Sequence, residues 1–135
     1  MTQAYHQAYQ QSSVKTATAD RLILMLYDGA VSFLARAETA MEAGDFEEAN
    51  SLIIRSQNIV SELMSSLDFQ RGGQIAKDLY RIYEYLNYRL VQANIKKDPA
   101  ISAEVRGLVA QLREAWEAAS RKARENKKEP IRIAL

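Results

Sequence analysis

Residues 67–99, LDFQRGGQIAKDLYRIYEYLNYRLVQANIKKDP, decide the architecture of this chain. Between Gly73 and Asp98 the stretch contains no proline and reads as one long helix. On a wheel of about 3.6 residues per turn, Ile75, Leu79, Ile82, Tyr83, Leu86, Leu90 and Ala93 share a face, the stripe by which a helix joins a bundle. Tyr80, Tyr88, Val91 and Ile95 gather on a second face, well away from the first. A helix needs one apolar stripe to enter a bundle. The second is expected to be spare sticky surface, and the wheel alone does not name what covers it.

The segments on either side carry helical signals of the same kind. Upstream, Asp45 with Glu48 three residues later is a capping-box-like start to a helix over about 45–67, which buries Phe46, Ala49, Leu52, Ile53, Val60, Leu63, Met64 and Leu67. Before it, a helix over about 19–43 starts at Thr18 as N-cap, with Asp20 in its first turn, and stops at Gly44. Leu22, Ile23, Leu26, Ala30, Phe33, Leu34, Ala37 and Met41 are its expected core stripe. The run LILMLY at 22–27 is apolar all round, so Leu24, Tyr27 and Val31 are expected on a second exposed apolar face. Downstream, Asp98-Pro99 ends the long helix and starts a fourth over about 99–126. Its stripe is Ile101, Val105, Leu108, Leu112, Trp116, Ala119 and Ala123, with Trp116 as a core anchor. The glycine pair at 72–73 follows no strand and has no phosphate-loop pattern around it, so it reads as a helix connection.

These segments predict an all-α, antiparallel four-helix bundle over 18–126, with a flexible N-terminal arm at 1–17 and a flexible tail at 127–135. The arm, MTQAYHQAYQQSSVKTA, is polar apart from Tyr5, Tyr9 and Val14; it is either a frayed terminus or a detachable cover for the spare apolar surface. The tail is basic and closes on PIRIAL, which alternates like a short strand and has no obvious role in a bundle.

Composition narrows the function. A chain of 135 residues fits one domain. Its net charge of +1 signals neither a nucleic-acid nor an anionic-membrane role. With no cysteine there is no disulfide framework and no thiolate metal site. No apolar run approaches the roughly 20 residues that span a bilayer, and there is no signal-peptide pattern, so a cytoplasmic protein without membrane insertion is expected. The only histidine, His6, lies in the arm, and no inward Glu-x-x-His pair occurs. The expectation is a binding protein without cofactor or metal, not an enzyme.

Three stretches then carry a resemblance: TATADRLILMLYDGA at 16–30, the 67–99 block, and LREAW at 112–116. With the arm-like AYQQSSVKTA, they span most of residues 8–117 in the order and spacing of the FliS family of flagellar secretion chaperones, which the chain resembles. The resemblance implies a four-helix bundle that binds the C-terminal segment of flagellin in the cytoplasm, keeps it from polymerising and aids its delivery to the flagellar type III export apparatus. It also implies contacts with the flagellar anti-sigma factor and the export gate in some members. Many relatives carry a proline just before the first helix, where this chain has Ala19. On this view Leu24, Tyr27, Val31, Tyr80, Tyr88, Val91 and Ile95 bind the client, Tyr5, Tyr9 and Val14 cover part of that surface in the free protein, and the protein is a monomer or weak dimer. Two rivals remain: a bundle whose extra stripes bury one another by self-association, and a small nucleic-acid binder using the basic tail.

Overall fold

The computed structural model describes residues 18–126. Among them four helices follow one another: α1 Ala19–Glu42, α2 Phe46–Ser65, α3 Phe69–Lys96 and α4 Pro99–Glu125. Tyr5, Tyr9 and Val14 of the arm, and the closing PIRIAL, lie outside the described residues.

Short connections force neighbouring helices to run antiparallel. At the first, Gly44 adopts φ +75°, its N–H reaches the Met41 carbonyl at 3.1 Å, and the Asp45 N–H reaches the Ala40 carbonyl at 2.8 Å. This is the Schellman pattern that a left-handed glycine permits. Asp45 then caps α2 by accepting from the Glu48 N–H at 3.2 Å. Only half of the expected capping box forms, because the Asp45 N–H is already engaged by α1. Asp98 accepts from the Ala100 N–H at 2.9 Å, with Pro99 at the first helical position of α4.

Two helix starts differ in detail from their expected form. Thr18 is the N-cap residue of α1, as expected, but its hydroxyl makes no cap bond to the helix and instead donates to the Asp20 carboxylate at 2.5 Å. That bond first, and Arg124 at 3.0 Å among the others, holds the Asp20 carboxyl below its usual range. Before the third helix as the sequence places it, Asp68 caps an additional helical turn from Phe69 by accepting from the Arg71 N–H at 3.0 Å, and Gly73, with φ +53° and ψ −127°, breaks the helical path between that turn and the long helix that follows. The glycine pair thus joins two helical stretches, the connection expected of it, but by a kink of one residue and not by a loop.

α3 also ends in a left-handed residue, but a non-glycine one. Lys97 has φ +50° and ψ 44°, and the Asp98 N–H bonds the Ala93 carbonyl at 3.3 Å. Lys97→Gly is expected to raise the unfolding free energy by about 0.5–1 kcal/mol by relieving the Cβ clash of the left-handed region; a higher urea midpoint at unchanged slope checks this.

The helices form a ring in which α1 packs on α2 and α4, and α3 closes the square more loosely against α2 and α4. Ion pairs fix the α1–α4 register at three levels: Asp20–Arg124 at 3.0 Å, Asp28–Arg113 at 2.8 Å and Glu38–Arg106 at 2.8 Å. Trp116 is buried against the start of α1 and donates its indole N–H to the Asp20 carbonyl at 3.1 Å. Arg121 pairs with Glu117. Part of the basic run is thus paired with carboxylates at the surface of the bundle.

The buried residues of α3 are Ala76, Tyr83, Leu86, Leu90 and Ala93, with Leu79 packed against them. Their spacing of three and four residues is a narrow coiled-coil seam. Ile75 (60% exposed) and Ile82 (38% exposed), expected in the core, lie just outside it. Conversely, Leu24 and Tyr27, expected on an exposed face of the first helix, are buried. α1 is held between two closely packed neighbours and buries a wide arc, whereas α3 meets the bundle along one line.

Candidate functional site

Tyr27 illustrates why a wheel misleads here. Its hydroxyl lies 2.6 Å from that of Tyr83, inside the bundle, across the diagonal from α1 to α3. Burial pushes both phenols above their ordinary pKa, and for Tyr83 the neighbouring Tyr27 adds to this, so both keep their protons. Tyr27→Phe and Tyr83→Phe are each expected to cost about 1–3 kcal/mol, because one buried hydroxyl is left alone. The double variant should cost clearly less than the sum, an interaction that a double-mutant cycle in urea measures. Leu24 and Tyr27 therefore belong to the interior. Val31 is half-buried and packs on the core.

The other four candidates stay together. Tyr80, Tyr88, Val91 and Ile95 are all exposed, Ile95 at 77% and Tyr88 at 60%, on the flank of α3 that turns toward α2. From Tyr80 to Ile95 the strip runs roughly 22 Å at 1.5 Å per residue. Phe69 extends it past the kink, its ring edge-on to Tyr80 with centroids 5.9 Å apart. Across the seam, Asn94 donates to Asn50 at 2.7 Å and Asn87 to Ser61 at 3.4 Å. These bonds set Ile54 of α2, itself 43% exposed, level with Leu90 and Val91. The strip is not wholly apolar: exposed Glu84 lies one turn from both Tyr80 and Tyr88, and the Tyr88 hydroxyl accepts from Gln92 at 3.1 Å. Such a surface offers apolar contact with an occasional hydroxyl, which suits an amphipathic helix and gives no chemistry for bond making. Among the described residues no cluster of His, Asp or Glu is grouped to hold a metal ion.

A second apolar surface, missed by sequence reasoning, lies on the other flank of α3. Ile82 and Tyr85 face Leu108 and Leu112 of α4 across a groove of about 440 Å³, with Arg81 and Gln111 at its rim. One end is closed by Glu104, which accepts from Tyr85 at 2.7 Å and from Arg89 at 2.6 Å; these bonds, Arg89 first, hold its carboxyl below the usual range. The signal in the sequence was the strict seam at 76, 79, 83, 86, 90 and 93, which leaves Ile75 and Ile82, seven residues apart, beside it instead of on it.

Comparison with known proteins fits this architecture. The family model for flagellar protein FliS matches residues 1–123. The chain is 42% identical over 120 residues to the flagellar secretion chaperone FliS of Bacillus subtilis, covering 89% of each. It is 40% identical over 121 residues to the flagellar secretion chaperone FliS of Salmonella typhimurium, covering 89% of this chain and 90% of that one. Against the flagellar secretion chaperone FliSB of Pseudomonas aeruginosa it is 37% identical over 116 residues, 83% of this chain and 92% of the relative.

Proposed function

The chain belongs to the FliS family of flagellar proteins, and we propose that it is the cytoplasmic export chaperone that holds the C-terminal region of flagellin until the type III apparatus takes it. FliS is a family of chaperones, not of enzymes. The observation that supports this reading is the strip Tyr80, Tyr88, Val91 and Ile95, exposed in one line on α3 with Phe69 and Ile54 nearby. An amphipathic client helix laid along it buries its own apolar face, which otherwise drives self-assembly, against aromatic and aliphatic side chains. Tyrosine suits the task because its ring gives contact area while its hydroxyl tolerates water in the free state.

The chaperone acts by occupancy. While the client's apolar face lies on α3 it cannot meet another flagellin, and release at the export machinery frees it. Contacts with the anti-sigma factor or the export gate would be made by this loaded complex or by the free bundle.

Titration of the purified chain with a flagellin C-terminal peptide, followed by calorimetry and light scattering, tests the proposal. A defined complex with a negative heat-capacity change is expected, the mark of apolar burial. A stable oligomer of the chain that ignores the peptide would show instead that the strip serves self-association.

A further inference from the structure

The outer face between α1 and α2 carries positive charge that the described bundle leaves unanswered. Arg71, Arg89, Arg106, Arg113, Arg121 and Arg124 each reach a carboxylate. Arg36 of α1 and Arg55 of α2 are exposed and form no ion pair among the described residues. Both lie instead over the ring of Phe33, each with its Cζ 5.8 Å from the centroid. We infer that this face docks an acidic helical segment of a partner protein. Two carboxylates of that segment, one turn apart, meet Arg36 and Arg55, and an apolar side chain beside them rests on Phe33 and Ile59.

The packing of the two helices builds this convergence. Gly29 lets them close, since a Cβ there would meet Ile59 Cδ1 at 3.2 Å. That contact sets the antiparallel register, which brings Phe33 level with Arg55. On α1, Leu26, Gly29, Phe33 and Arg36 follow one another at spacings of three and four and share a flank. Leu26, Phe33 and Ile59 are only partly buried, so apolar surface remains beside the arginines. The two guanidiniums stand no farther apart than twice their distance to the ring. Like charges so placed repel, and an anion that meets both relieves the repulsion. Neither arginine has a local partner in the sequence: no Asp or Glu lies three or four residues from Arg36 or Arg55 on its own helix. Each planar fork is therefore free to take a carboxylate through two parallel hydrogen bonds.

The surrounding charges select the partner. Glu48 and Glu62, both exposed, lie seven residues to either side of Arg55 on the same face of α2. At 1.5 Å per residue each is roughly 10 Å away. The positive window is therefore short and closed by a carboxylate at both ends. A nucleic acid presents phosphates continuously and is held by a stripe of cations; laid here it would run onto Glu48 and Glu62. A short helix with two carboxylates at its middle, apolar neighbours beside them and a basic residue two turns out on either side matches every charge on the face. The window lies on the α1 side of α2, whereas the client strip borders α2 from α3. Its failure would leave the client proposal standing.

The probe is a fluorescein-labelled, alanine-based helical peptide with two glutamates four residues apart at its centre, leucines beside them and a lysine two turns out on either side. Its fluorescence anisotropy is followed on titration with the full chain. Saturable binding is expected, weakened at least about tenfold by Arg36→Gln together with Arg55→Gln. Replacing the two glutamates of the peptide by glutamine should weaken it by a similar factor. Arg36→Glu with Arg55→Glu should bind a peptide whose central glutamates are lysines, which shows that a loss in the first variant is not unfolding. An excess of flagellin C-terminal peptide should leave the probe bound. Absence of saturable binding, equal binding of the glutamine peptide, or binding indifferent to the two arginines overturns the proposal. Displacement of the probe by the flagellin peptide also overturns it, since the face would then belong to the client. A duplex DNA that binds more tightly than the probe and depends on the same arginines would make the face a phosphate surface instead. A dimer seen by light scattering and lost with the two arginines would give it to a second copy of the chain.

Discussion

Trp116→Ala is expected to lower the unfolding free energy by about 3–5 kcal/mol, the range for emptying a buried aromatic site. That is a large share of the roughly 5–15 kcal/mol by which domains of this kind are stable. Two losses combine. The indole leaves a void where α4 meets the start of α1, and the Asp20 carbonyl loses the N–H that reached it at 3.1 Å. Trp116→Phe should keep most of the volume and forfeit mainly the hydrogen bond, worth about 1 kcal/mol. Because Trp116 is the sole tryptophan, unfolding of both variants has to be followed by helical circular dichroism. A loss below about 1 kcal/mol for the alanine variant would mean that the α1–α4 contact closes over the site and that the indole is not an anchor.

The second large effect concerns binding. Tyr88→Ala together with Val91→Ala is expected to weaken the flagellin C-terminal segment by tenfold to a hundredfold, about 1.4–3 kcal/mol. Stability should move by no more than about 0.5 kcal/mol, since both side chains are already in water. Isothermal titration and urea unfolding on the same preparation separate the two quantities. Unchanged affinity would remove the strip from the client site, whatever family the chain belongs to.

Much of this architecture could be read from the residues, because its decisive signals are local. Gly44 demands a left-handed turn, Asp45 and Asp98 cap, and Pro99 opens a helix; each is a property of one or two residues and needs no neighbour. The facing of α1 was not readable in the same way. LILMLY is apolar on every side, so the wheel has no contrast there, and only the close packing of α2 and α4 around α1 decides that Leu24 and Tyr27 turn inward. The converse error on α3 has the same origin. A wide apolar arc was assigned to the core, but a helix that touches its neighbours along a narrow seam leaves Ile75 and Ile82 outside. The α3–α4 groove was out of reach for a further reason: it is made by the spacing between two helices, a quantity that no single segment encodes. The exposed placement of Tyr80, Tyr88, Val91 and Ile95 was legible because all four fall off the seam at 76, 79, 83, 86, 90 and 93.

The loose seating of α3 has a dynamic consequence. A helix with few buried contacts and two solvent-facing flanks opens at lower free energy than its neighbours. Its amide hydrogens should exchange ahead of those of α1, which packs closely against two neighbours. The kink at Gly73 gives α3 a point about which to yield at one end, and the Tyr27–Tyr83 pair is a tether near its middle. The bundle is thus graded in stiffness: firm on the side of α1, compliant along the helix that meets what is outside.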